Sequence, residues 1–231
     1  LGYAREWLDP YSWIPWDSIV SVLCLASAGG QQAPAFATLG YRVTSFDLSP
    51  QQLELDHKVA QRCGLDLECV QGDMLDLSCL HGRMYDLVYQ AVSACYAPDV
   101  RRLYRQVSRV MRPHACYWVE HWNPYRMQVE RCGWDGKAYR IGLPQERGVP
   151  VEFPWSVWDA NGRERQPMLR HYIHSLHDLL GGLGDAGFHI VRFAERYRGT
   201  PGATPGSYRH MNSHVPPFFT LLAEYSGPAP R

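Results

Sequence analysis

Apolar residues in the first half of the chain come in short blocks, separated by polar stretches of helical period. "IVSVLCL", Ile19–Leu25, is apolar almost throughout, as a parallel strand buried on both faces should be. Gln31–Leu39 predicts a short helix; Pro34 falls in its first turn, where a missing N–H costs nothing, and Gly40 ends it. Arg42–Phe46 reads as strand two. Ser49 followed by Pro50 is a cap and a first helical position, and that helix runs to Arg62 with Gly64 as its stop. Leu67–Val70 and Tyr85–Tyr89 read as strands three and four. Asp99–Met111 places Val100, Leu103, Tyr104, Val107, Val110 and Met111 at core spacing on a helix. In "RPHACYWVEHW" a turn at Pro113 leads into strand five, which ends near Glu120.

The rhythm then breaks. Residues 122–174 hold Trp122, Trp134, Trp155 and Trp158 and predict a hairpin turning at Asn161-Gly162, so they read as an insert capping the substrate. Ser175–Ala186 returns to helix, Phe188–Phe193 is strand six and Phe218–Glu224 is strand seven. No helix is predicted between the last two strands, so they pair antiparallel, because a parallel pair needs a crossover. The stretch between them, 198–217, is rich in Gly and Pro and reads as a lid loop beside the ligand face. Residues 1–17 carry Tyr3, Trp7, Tyr11, Trp13 and Trp16 and form an aromatic arm. The expected fold is one α/β domain over 1–231: a doubly wound, mostly parallel seven-stranded sheet with an antiparallel last strand and a capping insert.

Composition narrows the partners. The 231 residues are 45% apolar, with a formal net charge of zero. A nucleic-acid binder normally carries a basic excess, so no nucleic-acid partner is expected. No apolar run is long enough to span a membrane, and no charged start followed by an apolar stretch marks a signal peptide. Seven cysteines without a Cys-x-x-Cys spacing fit a reduced, cytoplasmic protein without a zinc site. Self-association as a homodimer stays open.

The chemistry concentrates where strand one turns into its helix. In doubly wound sheets ligands bind beyond the carboxyl ends of the strands, at this switch point. The turn is Ala26-Ser27-Ala28-Gly29-Gly30, and Gln31 opens the helix. Small residues let the backbone approach a ligand closely. A dinucleotide turn wants Gly-x-Gly-x-x-Gly, and here the third small position is a glutamine. S-adenosylmethionine (SAM) has no pyrophosphate and asks only that the turn pass beneath it. Asp47, at the end of strand two beside Leu48, can accept both ribose hydroxyls; it can equally serve the Ser-Pro helix start. Asp73, in "VQGDMLD", can accept the adenine amino group while the Met74 N–H reaches a ring nitrogen; it can equally be a turn aspartate.

The stretches "VLCLASAGG", "VTSFDLSP", "VQGDMLDL", "YDLVYQAVSACY" and "VMRPHACYWVEHW" resemble the class I SAM-dependent methyltransferases over nearly the whole chain. The first motif departs from the family pattern, carrying Cys24, Ala26, Ala28 and Gly30 where the family has an acid and three glycines. The resemblance implies SAM as cofactor, lined by Ala26, Ala28, Gly29, Gly30 and Gln31, with Asp47 and Leu48 at the ribose, Asp73 and Met74 at adenine, and Gln90 and its successors facing the methyl group.

Methyl transfer from a sulfonium needs an aligned acceptor and sometimes a base, but no metal. His121, at the end of strand five, is the candidate base; it can equally cap the strand and bond backbone. Glu120 beside it should point the other way. Tyr96, after strand four, is the second catalytic candidate and can also orient the acceptor. Trp122, Asn123, Arg126, His174 and Tyr208 are the further substrate-side candidates, and Arg126, Arg140 and Arg170 can meet an acidic group. The Asn123–Tyr125 "NPY" follows strand five, not strand four, so it is not the amine-methyltransferase loop it imitates. His171 and His174 should face opposite ways on a strand, so with His177 they make no metal site. The reading is methyl transfer to nitrogen or oxygen of a small molecule, with carbon and sulfur behind them. The alternatives are a nicotinamide-dependent oxidoreductase and a non-catalytic SAM-binding module.

Overall fold

The computed structural model describes residues 2–154, 157–158, 164–165 and 168–227. Its centre is a seven-stranded sheet built from β1 (Ser21–Leu25), β2 (Arg42–Asp47), β3 (Glu68–Gln71), β4 (Tyr85–Gln90), β5 (Met111–Trp122), β12 (Phe188–Arg196) and β13 (Phe218–Tyr225), in the order β12-β13-β5-β4-β1-β2-β3. β1 lies parallel between β2 and β4, and β4 lies parallel to β5. β13 runs antiparallel to both β5 and β12, as expected, although the connection between β12 and β13 is not free of helix. The chain reverses its winding at β1, which puts the ligand crevice at the end of that strand.

Both faces of β1 are buried. Leu23 and Leu25 face a layer containing Leu103, Tyr104 and Val107 of α4 (Val100–Arg109), together with Leu179 and Leu183. Val22 and Cys24 face Ala33 and Phe36 of α2 (Gln32–Thr38) and, from the N-terminal arm, Leu8 and Ile14. This accounts for the unbroken apolar run at 19–25. The arm contains a helix, α1 (Gly2–Leu8), and a 3-10 turn at Trp16–Ser18. Asp9 is buried there, and its carboxylate accepts from the Trp13 and Ile14 N–H groups. The Tyr89 hydroxyl donates to the Leu8 carbonyl at 3.0 Å, tying the arm to β4. The arm is therefore a cover on the α2 face of the sheet.

α3 (Pro50–Cys63) has the predicted ends: the Ser49 hydroxyl accepts from the Gln52 N–H, and Gly64 closes it at φ 63°. Asp99 caps α4 in the same way. Four expectations need correction. Pro113 does not turn the chain; β5 begins at Met111, and a register shift against β4 absorbs the irregularity, with His114 at φ 66°. The helix expected at 175–186 opens as a π-turn, His177–Gly181, before the α-helical α6 (Gly182–Asp185). Strand six runs three residues beyond Phe193, to Arg196. The 198–217 stretch is not wholly loop, because it contains α7 (Tyr208–His214), capped by the Ser207 hydroxyl.

The insert begins with α5 (Pro124–Gln128) and the antiparallel pair β6 (Val129–Trp134) and β7 (Tyr139–Ile141). β8 (Pro150–Pro154) pairs antiparallel with β11 (Met168–Tyr172), and β9 (Val157–Trp158) with β10 (Glu164–Arg165). The Asn161-Gly162 turn, Trp155 and Asp159 lie outside the described residues.

Candidate cofactor and acceptor site

Four positions of positive φ shape the turn after β1: Ala26 at φ 51° and, after Ser27, Ala28 at 56°, Gly29 at 61° and Gly30 at 77°. Two are alanines, which adopt this region against a steric cost. At Gly29 a Cβ would stand 2.5 Å from the Gln52 carbonyl oxygen, so this position has both the conformation and the confinement of glycine.

The turn is held from below by a residue absent from the sequence-based candidates. Asp56 of α3 is fully buried. One carboxylate oxygen accepts from the Gly30 N–H at 2.5 Å; the other accepts from the hydroxyls of Ser27 at 2.9 Å and Ser45 at 2.5 Å. Leu53, Asp56 and Ala60 form the buried stripe of α3. An acid on an apolar helical stripe was the available signal.

Asp47 stands where expected, partly exposed at the end of β2. Its carboxylate accepts from the Ala28 N–H at 3.2 Å and the Ser49 N–H at 2.8 Å. It therefore joins the turn to the start of α3, and each oxygen keeps acceptor capacity. Asp73 accepts from the Leu75 N–H through one oxygen, so it is a turn aspartate, and its other oxygen has no partner among the described residues. The Met74 N–H donates to none of them either. Leu48 is exposed beside Asp47. The donor and acceptor chemistry fits SAM: two acids at successive strand ends, one for a diol and one for an amine, with a free N–H beside the second. Gln31 is exposed at the mouth of α2, while Gln32 behind it is buried with an amide oxygen that has no donor among the described residues.

Gln90 is in the right strand but its side chain is not a free ligand group. It is fully buried; its amide accepts from the Tyr117 hydroxyl and donates to Ser93 Oγ at 2.8 Å. It supports the 91–96 loop from beneath.

His121 corrects the sequence reading most. It stands one residue from the end of β5, as expected, but it is 2% exposed. The Tyr104 hydroxyl donates to the Leu179 carbonyl at 3.1 Å and lies 3.2 Å from His121 Nε2. The phenol has one proton, so His121 Nε2 carries the ring proton and donates to it. Burial, with nearby His174 adding to it, pulls the imidazole down to about 3. It borders a cavity of about 10 Å³, room for a water molecule at most. A sealed group of that basicity is unsuited to general-base work near neutrality. Glu120 does point the other way, accepting from Arg196 at 2.8 Å.

The substrate-side candidates divide. Asn123 is a cap: its side-chain oxygen accepts from the Tyr125 N–H, and its own N–H donates to the Pro217 carbonyl. His174 is buried with Nε2 3.1 Å from the Ala94 carbonyl, which fastens the insert to the loop after β4. Trp122 packs on Phe218 with ring centroids 4.4 Å apart. Tyr96 is half exposed, 5.0 Å from the His171 ring, and burial of its phenol pushes it up to about 12. Arg126 lies over the ring of exposed Tyr208 at 5.4 Å. Arg170 and Arg140 sit near Glu152 and Asp135 on the surface. Among the described residues, no three His, Cys, Asp or Glu side chains are placed to hold a metal ion, and no helix is long and apolar enough to cross a membrane.

Residues 23–119, from β1 to β5, match a methyltransferase-domain family. An uncharacterized methyltransferase of Bacillus subtilis, YbaJ, is 30% identical over 190 residues, covering 80% of this chain and 72% of that one. Among solved structures, a SAM-dependent methyltransferase from Mesorhizobium loti is similar over 95% of this chain and 97% of its own, with 22% identity and a TM-score of 0.63. One from Clostridium acetobutylicum covers 98% of each chain with 12% identity and a TM-score of 0.66. The glycopeptide N-methyltransferase MtfA in complex with SAM is similar over 98% of this chain and 87% of that chain, with 20% identity and a TM-score of 0.58. The structural likenesses establish the fold and the Bacillus relative establishes the kinship: the chain belongs to the class I SAM-dependent methyltransferases.

Proposed function

We propose that the acceptor is a small molecule enclosed under the 122–174 insert and the 198–217 segment, and that it is methylated on nitrogen, or on an oxygen that ionises unaided. The observation that carries this reading is the way the insert closes on the strand ends. Met127 of α5 and Ile173 after β11 are buried together with Cys95 of the loop after β4, and Val92, Trp122 and Val151 pack around them. An insert fastened in this way covers the strand ends beside the 91–96 loop, which favours a compact acceptor over a polymer lying across it. The neutral net charge points the same way.

SAM, when bound, supplies a methyl carbon already activated by its sulfonium. Asp47 would receive the ribose diol, Asp73 the adenine amine, and the Met74 N–H a ring nitrogen. Ala26, Ala28, Gly29, Gly30 and Gln31 would line the path of the methionyl part. Tyr96 keeps its proton across the neutral range and so can orient the acceptor as a donor without acting as base. His121 is sealed and weakly basic. An acceptor with its own lone pair suits this pair of residues: such a nitrogen would take the methyl group that SAM supplies without a base from this chain, and Tyr96 would only orient it. Thiols at Cys24, Cys95 and Cys116 are buried and unpaired, which favours a reducing, cytoplasmic setting.

The test is incubation with methyl-labelled SAM and a metabolite extract, followed by separation of small molecules from macromolecules. Label should enter the small-molecule fraction and reside on nitrogen or oxygen. Label found only in protein or nucleic acid would sink the proposal.

A further inference from the structure

Arg126 is a half-buried cation without an acid. Its Nε donates to the Asn212 side-chain oxygen at 3.2 Å, and its guanidinium lies over the Tyr208 ring. No carboxylate of the described residues lies within ion-pair distance of it. Arginines elsewhere that lie against the protein do have one: Arg101 holds Asp178, Arg112 holds Asp86 and Arg196 holds Glu120. Burial lowers the pKa of Arg126, and only the neighbouring phenols of Tyr208 and Tyr139 oppose this.

The partner side chain is equally incomplete. Asn212 is 0% exposed, and its Nδ2 has no acceptor among the described residues. Its oxygen is fixed on Arg126 Nε, so the orientation of the amide is decided: reversing it would set two donors against each other. A buried N–H₂ without an acceptor is costly. Two groups of unused donors, the terminal nitrogens of Arg126 and the amide of Asn212, therefore lie on side chains joined by one hydrogen bond. They come from α5 and α7. The first follows the carboxyl end of β5 and the second precedes β13, which runs opposite to β5, so both elements lie on the sheet end where ligands bind.

We infer that Arg126 and Asn212 form an oxyanion-binding subsite between the insert and α7, which receives a carboxylate or phosphate carried by the acceptor. Arginine suits this role because its planar fork can give two parallel hydrogen bonds to one oxyanion. Tyr208, under the guanidinium, keeps the fork in place. Asn212 Nδ2 is sealed from solvent, so the anion reaches it with a movement of α7. Binding and closing are then one event.

The naming of the anion as the acceptor's rests on the proposed function; its binding does not. Calorimetry on the full chain, loaded with the demethylated cofactor, tests the subsite with benzoate and with inorganic phosphate, and with benzylamine as the cationic control. Wild type should bind at least one anion and not benzylamine, and which anion binds separates carboxylate from phosphate acceptors. Arg126→Gln should weaken that binding about tenfold or more. Asn212→Asp has the same shape and gives Arg126 an internal carboxylate, so it should abolish anion binding while raising Tm; it also covers the case in which Arg126→Gln fails to fold. Absence of anion binding in wild type, equal binding in the variants, or a loss of SAM affinity in Arg126→Gln would each overturn the subsite. Anion binding without methyl transfer from SAM to any component of an extract would leave the subsite standing and remove the proposed function.

Discussion

The buried carboxylate of Asp56 accepts the Gly30 N–H at 2.5 Å, across 26 residues of sequence. The contact runs from the middle of α3 to the turn after β1, and it fixes where that turn sits beneath the ligand. The same carboxylate holds Ser27 and Ser45, so removing it takes the acceptor from the half-buried Gly30 N–H and leaves the two buried hydroxyls, 2.8 Å apart, with one acceptor too few. Asp56→Ala should cost about 3 kcal/mol or more in denaturant unfolding. Asp56→Asn, which keeps one acceptor oxygen, should cost less, yet still lower SAM affinity by mis-setting the turn. Unchanged SAM affinity in both variants would mean that the turn is positioned by something else.

Ala26 and Ala28 give a prediction of opposite sign. Each adopts a positive φ that costs an L-residue about 1–2 kcal/mol. Glycine would remove that strain and return about 0.5–1 kcal/mol as extra freedom of the unfolded chain. Ala28→Gly should therefore be neutral or stabilising by up to about 1 kcal/mol, while Ala28→Val destabilises. Gly29→Ala, with its Cβ driven onto the Gln52 carbonyl, should be the worst of the three. Thermal unfolding ranks them, and a damaging Ala28→Gly would contradict the strain.

Asp47 should show itself in binding. Charge-assisted hydrogen bonds to a diol contribute roughly 1.5–3 kcal/mol each. Asp47→Ala should raise the SAM Kd about a hundredfold or more on that scale. Its bonds to the Ala28 and Ser49 N–H groups mean that some stability goes too. Asp47→Asn separates the two effects, since its remaining oxygen can still accept from one N–H group. A Kd within threefold of wild type would remove Asp47 from the ribose.

These residues show what was legible in the chain and what was not. The strand–turn–helix of β1, the Ser49 cap, the Gly64 stop and the reversed last strand all rest on local pattern or on the lack of a full crossover between two strands, and both are written in the sequence. Asp47 and Asp73 could be placed because each follows a strand directly. His121 could also be placed at the end of β5, but its burial comes from Tyr104, Leu179 and His174, which no local pattern brings near. Helix α7 was hidden by the Gly and Pro residues flanking it, although Ser207 and the spacing of Tyr208, Met211 and Val215 announce a capped helix. Asn212 had no signal at all, because its meaning depends on Arg126 86 residues away.

The imidazole of His121 predicts a pH dependence. Its pKa is about 3 in the folded protein against an ordinary value of 6.5. Below pH 6.5 the unfolded chain takes up a proton that the folded chain refuses, so this contribution to stability is complete above 6.5 and falls away as pH drops toward 3. At pH 4.5 the loss from this residue is about 2–3 kcal/mol. His121→Gln, whose amide can still donate to Tyr104, should flatten the decline of unfolding free energy between pH 6.5 and 4.5. The wild-type rate profile should show no inflection near neutrality that disappears in this variant. A neutral inflection that is lost with His121 would restore it as the base.

The 198–217 segment should behave as a rigid helix on a flexible stem. Met211 and Asn212 are buried, and Ser213 presses so closely on Gly199 that a Cβ there would lie 2.5 Å from the Ser213 Cα. The Tyr139 hydroxyl lies 2.6 Å from His210 Nδ1, and the Trp134 and His210 ring centroids are 4.8 Å apart, so α7 is clasped by the β6–β7 hairpin. Between these anchors, Gly202 at φ 72° and Gly206 at 82° provide the turns. Protease should therefore cut first within 200–206 and leave α7 intact. A segment that closes on ligand should be cut more slowly once SAM and an anion such as benzoate are both bound than with either alone. Trp134→Ala loosens the clasp without touching Arg126, so it should speed cutting of the free protein and weaken benzoate while SAM affinity holds. Equal cutting in all states, together with normal turnover after 200–206 is shortened, would show that the segment is a fixed part of the surface and that acceptors enter by another route.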